Sequence, residues 1–290
     1  MNQATARHGD VEITYAVDGP ADGEPLLLIM GLGLSMLFWP EDFRAELVAA
    51  GFRVARFDNR DVGRSTHFPA LGVPPLVPWR RWRGYGLPDM AADAVAVLDA
   101  LGWDSAHVAG VSLGGMIAQT LAIRQPARVR TLTSLSSTPW SRIGRPRARA
   151  LPVLLRSPRP GRAGAIENVV GVFRVIGSPA YPLDEAWLRT TAGLSYDRAH
   201  DPDGRRRQLA AVVAAADRRP ALARLRLPAL VVHGGADPLI RPAGGRATAA
   251  AIPGARLVEF PGMGHDLPVP LRQIIAGEIA TLAARWSPSP

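Results

Sequence analysis

The chain has 290 residues, 47% of them apolar and 20% charged, the composition of a globular protein with a large buried core. It contains no cysteine, which excludes a disulfide framework or a thiolate zinc site and fits a reducing compartment. The net charge of +9 is carried by arginine alone, because the sequence has no lysine. Arginines crowd between Arg142 and Arg162, interleaved with Pro146, Pro152, Pro158 and Pro160, and again at Arg205 to Arg207. No nucleic-acid-binding module surrounds either cluster, so both are expected to be solvated surface, with no nucleic acid as partner.

The first residues, MNQATARHGD, lack the apolar stretch of a signal peptide. An antiparallel hairpin is expected around Val11 to Val17 and the DGPADGEP turn that follows. The uncharged run from Pro25 to Pro40 falls short of the roughly 18 apolar residues of a spanning helix. It reads as a buried strand over Leu26–Met30 followed by a glycine-rich loop. The expectation is a soluble, cytoplasmic protein with no membrane partner.

Arg53–Phe57 reads as the next strand. PDMAADAVAVLDALG has helical periodicity, with Pro88 in its first turn and Gly102 at its end. Ala106–Val111 is strand, Leu113–Arg124 helix and Val129–Leu135 strand. The alternation then stops. Residues 139–227 are rich in Pro, Arg and Gly, with helical patches in LDEAWLRTTAGL and RRRQLAAVVAAAD. Order resumes with strands Ala229–His233 and Arg256–Phe260 and a helix over Leu271–Trp286; the SPSP tail is expected to fray. Alternating strands and helices predict an α/β fold with a mostly parallel sheet flanked by helices. The interruption predicts a core over 1–138 and 228–290 with an inserted, mainly helical cap over 139–227.

The chemistry centres on Gly110-Val-Ser112-Leu-Gly114. A G-x-S-x-G pattern is weak alone, but this one follows an apolar strand and opens a helix, the strand–turn–helix that exposes a nucleophilic serine on a sharp elbow. Ser112 could also serve merely as a helix cap, which leaves the two glycines unexplained. A serine needs a base held in one tautomer. Of six histidines, His8, His67, His107 and His200 lie in terminal, loop, strand-start and polar positions, and His233 ends a strand. His265, in the PGMGHDLP loop after the last strand, is the candidate base. The candidate acid is Asp237 in GGADP, which could alternatively form an Asx turn. The loop after the Val129 strand, Ser134–Thr138, offers no carboxylate. Backbone N–H groups of Leu113 and of Leu32, in the Met30–Gly33 loop, are the candidate oxyanion hole. Asp58–Ser65, DNRDVGRS, reads as a turn that braces the active-site loops. Met36, Phe38, Trp39, Trp140, Phe173, Tyr181 and Trp187 are candidates for an apolar substrate pocket, and each is equally of a type that fills a core.

With these residues in place the chain resembles the α/β-hydrolase superfamily over nearly its whole length. MGLGLSMLFWP, FDNRDVGRS, AADAVAVLDALGW, AGVSLGG and PGMGHDLP are similar to the aclacinomycin methylesterase group of esterases. The order Ser112, Asp237, His265 is that of this superfamily. Most of its members carry histidine before the oxyanion glycine, where this chain and the methylesterase group carry Met30. The resemblance implies hydrolysis of a carboxylic ester of a small, largely apolar molecule, with a methyl ester on a bulky secondary metabolite as the pattern's example. It implies no cofactor and no metal, and a small-molecule site between core and cap. The same triad serves a thioesterase, an amidase or a cofactor-free perhydrolase, and a ligand-binding receptor can share the fold. The cap resembles the group least.

Overall fold

The computed structural model describes residues 3–74, 82–152 and 159–286. The SPSP tail and part of the Arg- and Pro-rich stretch, including Arg156 and Pro158, lie outside them. In chain order the elements are β1 (Gln3–His8), β2 (Val11–Asp18), β3 (Glu24–Ile29), α1 (Glu41–Ala49), β4 (Phe52–Phe57), α2 (Leu87–Ala100), β5 (Ala106–Val111), α3 (Leu113–Arg124) and β6 (Val129–Leu135). After β6 come α4 (Gly161–Ile176), α5 (Glu185–Arg198), α6 (Gly204–Ala214) and the single turn α7 (Arg219–Leu222). β7 (Ala229–Gly234), α8 (Ala243–Ala251), β8 (Arg256–Phe260) and α9 (Val269–Ala283) complete the chain.

The strands form one eight-stranded sheet in the order β1-β2-β4-β3-β5-β6-β7-β8. β3 to β8 run parallel, and β1 and β2 are antiparallel additions at one edge. Leu26, Leu27, Leu28 and Ile29 in β3 are all completely buried. A strand covered on both faces needs a continuous apolar run, because alternate side chains enter opposite layers. Leu27 and Ile29 pack with α2 and α3, while Leu26 and Leu28 pack with α1 and α9. From β3 the chain steps to β4 on one side and later to β5 on the other. That reversal opens a crevice beyond the strand ends, where ligands sit in sheets of this kind.

The hairpin lies one strand earlier than expected. β1 pairs with β2 through a tight turn at Gly9, whose φ is +60°, and the residues after β2 lead to β3 instead. β1 is an edge strand held by its backbone ladder, so its polar sequence carries no core signal. α4 is one of the helices of the inserted segment, and glycine and arginine dilute its apolar spacing. The second arginine cluster departs from the solvated reading: Arg207 is 1% exposed and paired with Asp61.

At the elbow, the φ of Ser112 is 56°, a region that costs a non-glycine residue strain. A Cβ on Gly114 would lie 1.9 Å from Ile29 O, and one on Gly110 would lie 2.1 Å from Gly114 O. Gly114→Ala should therefore destabilise the fold by more than about 3 kcal/mol, since backbone rather than a flexible side chain must move; urea unfolding measures this.

His107 is buried in β5 beside Thr131, and burial, helped by Arg130, pushes its pKa from 6.5 down to about 4. Between those values the unfolded chain binds a proton that the folded chain does not, so stability falls as the pH drops from 6.5 towards 4. His107→Gln is expected to remove on the order of 3 kcal/mol of this acid-side loss, seen as a shallower fall in unfolding free energy between pH 7 and pH 4.

Candidate active site

The C-terminal ends of β3, β5, β7 and β8 gather on one edge of the sheet. Ser112 directly follows β5, and its N–H donates to Leu135 O at 2.9 Å. The Ser137 hydroxyl donates to Ser112 O at 2.7 Å, so the elbow is held from the neighbouring strand as well as by its own helix.

Asp237 follows β7 and is completely buried. Its Oδ1 accepts from the N–H groups of Leu239 at 2.8 Å and Ile240 at 2.9 Å, while Oδ2 lies 2.6 Å from His265 Nδ1. The Asx turn and the acid–histidine contact are thus not alternatives. One oxygen makes the turn, which aims the other at the imidazole. A carboxylate at Nδ1 sets the tautomer with the proton on Nδ1 and leaves Nε2 as acceptor.

His265 sits in the loop after β8, where its N–H donates to Ile176 O at 2.7 Å. The flanking glycines serve close approach rather than unusual dihedrals. A Cβ on Gly264 would lie 2.3 Å from Gly177 O, and one on Gly262 would lie 2.2 Å from the Ala180 Cβ. The loop therefore lies directly against the residues that follow α4. His233 lies nearby, 3.6 Å from Asp237 Oδ2, but is completely buried and donates Nε2–H to Ile240 O at 2.8 Å. Burial lowers its pKa, which keeps it neutral.

Ser112 and His265 both line one cavity, a cleft of about 1230 Å³ including its open mouth. Their side chains make no direct hydrogen bond. The cleft walls come from the Met30–Leu34 loop, the elbow and the His265 loop on one side, and from α4, α5 and Arg205 of α6 on the other. Phe38, Phe173 and Trp187 of the expected pocket residues lie in this wall. The other four stand elsewhere. Met36 and Trp39 are core, with Trp39 stacked on Phe43 at 5.7 Å; Trp140 lies under Arg142; Tyr181 packs beside Gly262. Met36 and Trp39 are buried and Trp140 and Tyr181 half-buried, all four away from the cleft.

The Met30–Leu34 loop turns at Gly33, where φ is +68°, with Leu34 N–H to Gly31 O at 3.4 Å. Leu32 and Leu113 donate their N–H groups to no protein acceptor among the described residues. Polar cleft residues that sequence reasoning did not single out are Asn168, Asp184, Asp266, Arg205 and Arg272. Asp266 takes the Ser178 hydroxyl bond and has its pKa raised by burial. Arg272 is held by Asp42 at 2.7 Å and lies over the Trp187 ring.

The DNRDVGRS turn does brace the site. Asp58 accepts from Met36 N–H at 2.8 Å and from Arg198 at 2.8 Å, and Asn59 Nδ2 donates to Met30 O at 2.9 Å. Gly63, at φ +58°, lies so close that a Cβ would be 2.2 Å from Asp58 Oδ2. Asp61, His67 and Asp201 bring metal-ligand-type atoms within 4.8 Å of one another. The Arg207 guanidinium already bridges Asp61 and Asp201 there and supplies the countercharge. Among the described residues no helix is long and apolar enough to cross a membrane.

The chain is 34% identical to rhodomycin D methylesterase DauP from Streptomyces sp. strain C5, over 92% of this chain and 94% of that one. Among solved structures, a hydrolase from Pseudomonas aeruginosa PA01 superposes with a TM-score of 0.74 at 26% identity, covering 97% of this chain and 98% of that one. The esterase RhEst1 from Rhodococcus sp. ECU1013 shares the fold, with a TM-score of 0.77 at 22% identity, covering 99% and 100%. The family model described as the alpha/beta hydrolase fold matches residues 24–269, and the chain belongs to that family.

Proposed function

We propose that this protein hydrolyses a carboxylic ester of a small, largely apolar molecule through an acyl-enzyme on Ser112. The observation that carries the reading is the 2.6 Å contact of His265 Nδ1 with Asp237 Oδ2, with His265 and the strained Ser112 both lining one cleft. A methyl ester is the first substrate class to assay, since the relative at 34% identity is a methylesterase. Residues 139–227 form the cap of this reading and 1–138 with 228–290 its core, so the substrate lies between them.

In the first step Ser112 Oγ attacks the ester carbonyl and His265 Nε2 takes its proton. The tetrahedral oxyanion is held by the N–H groups of Leu32 and Leu113. The imidazolium, stabilised by Asp237, gives that proton to the departing alkoxide as the C–O bond breaks. Water then attacks the acyl-enzyme with His265 again as base, releasing the acid and restoring Ser112. Phe38, Phe173 and Trp187 supply apolar surface for the bulk of the substrate. No cofactor or metal enters this scheme.

Incubation with a panel of methyl, short-chain aryl and thio esters, followed by mass spectrometry of the Ser112 peptide, tests the reading. An acylated Ser112 and release of the alcohol are expected. Ser112→Ala should abolish hydrolysis while thermal unfolding stays nearly unchanged; full activity in that variant would sink the assignment. Asp237→Asn should lower kcat by about 10³–10⁴-fold, because the neutral amide no longer selects the tautomer or stabilises the imidazolium; steady-state kinetics reads this.

A further inference from the structure

The peptide between Leu32 and Gly33 is tied to a residue far away in sequence. Gly33 N–H donates to Gln208 Oε1 at 2.8 Å, and Gln208 Nε2 donates to Arg60 O at 2.8 Å. Gln208 is completely buried, so both ends of its amide are committed inside the protein. It links the loop after β3 to the loop after β4 through a side chain of α6. The same helix presses closely on both loops. A Cβ on Gly33 would lie 2.9–3.1 Å from the Arg205 stem, and one on Gly204 would lie 2.3 Å from Asp61 O.

The turn over Gly31–Leu34 is closed by its own hydrogen bond at only 3.4 Å, at the weak limit for an N–H donor. Its central peptide, Leu32–Gly33, directly follows the Gly31–Leu32 peptide that carries the Leu32 N–H, so the Gln208 bond holds the turn at the joint next to that donor. Removing Gln208 would leave Gly33 N–H without its acceptor and release that peptide.

We infer that Gln208 is a positioning residue for the oxyanion loop. By pinning the Leu32–Gly33 peptide it restrains the Leu32 Cα, and through it the preceding Gly31–Leu32 peptide whose N–H faces the developing oxyanion. The inference rests on the proposed hydrolase reading and on Leu32 as a donor. It gives α6, within the inserted segment, a role in rate as well as in enclosing substrate.

Gln208→Met keeps the length of the side chain and loses both hydrogen bonds, whereas Gln208→Glu keeps an acceptor for Gly33 N–H. With p-nitrophenyl acetate, and rates normalised to active sites titrated by the acyl-enzyme burst, Gln208→Met should lower kcat about 10- to 100-fold, within the range for weakening one oxyanion donor, with KM within about twofold. Gln208→Glu should recover most of that loss. An alkyl boronate, which forms the tetrahedral adduct, should bind more weakly to Gln208→Met by a factor that follows kcat, while binding of acetate stays unchanged. A normalised kcat within twofold of the parent, or an undiminished boronate affinity, overturns the inference while leaving Ser112 in place. If Ser112→Ala hydrolyses the ester as fast as the parent, the hydrolase reading falls and the inference falls with it.

Discussion

Everything at this site depends on backbone packed against backbone where β5 turns into α3. Gly114 lies against Ile29 O at the end of β3, and Gly110 lies against Gly114 O. With no side chain between them, α3 starts directly above the sheet and Ser112 is forced into a positive φ. Strain of this kind, of order 1–3 kcal/mol, persists only where the surroundings over-determine it. Here the parallel ladders on both sides of β5 do so. The same closeness sets Gly31 next to the Ser112 Cβ, so the proposed nucleophile and the proposed oxyanion loop are neighbours as a consequence of the strand order.

The segment between β6 and β7 is joined to the rest through buried polar contacts. Arg207 pairs with Asp61, Arg198 with Asp58, and Ser35 with Ser195 across a 2.9 Å hydroxyl contact. The Asp58–Ser65 turn is the receiver for most of them. It also holds Met36 N–H and Met30 O at the base of the proposed oxyanion loop. A buried ion pair adds little net stability, because desolvation offsets the attraction, but losing one partner strands a charge and is costly. Such contacts therefore specify one seating of the helices over the cleft more than they strengthen the fold. Arginine suits the purpose, since its planar fork grips a carboxylate with two parallel hydrogen bonds, as Arg207 does with Asp61.

The cleft combines apolar walls with a few polar groups held by neighbours. Arg272 is clamped by Asp42 and Asp266 by Ser178. Fixed dipoles and charges in a largely apolar enclosure act strongly on a developing charge because they need not reorganise. An ester whose bulk is apolar and whose reacting carbonyl is polar matches that arrangement.

The fold class, most strand positions and the residues now proposed as the triad were legible in the chain. Their signals are local: a continuous apolar run for a strand buried on both faces, and G-x-S-x-G or GMGH at the end of such a run. The elbow glycines were also readable, because crowding at a sharp turn is a local constraint. What the chain left unreadable is long-range. β1 is mostly polar, with Ala6 its core residue, α4 is diluted by glycine and arginine, and nothing in RRRQ tells that Arg207 and Gln208 are fully buried. Of seven apolar pocket candidates three line the cleft, because hydrophobicity reports that a side chain leaves water and not which interior it enters. Local conformation and burial preference are written in neighbouring residues; the partner of each buried polar group is decided only when distant segments meet.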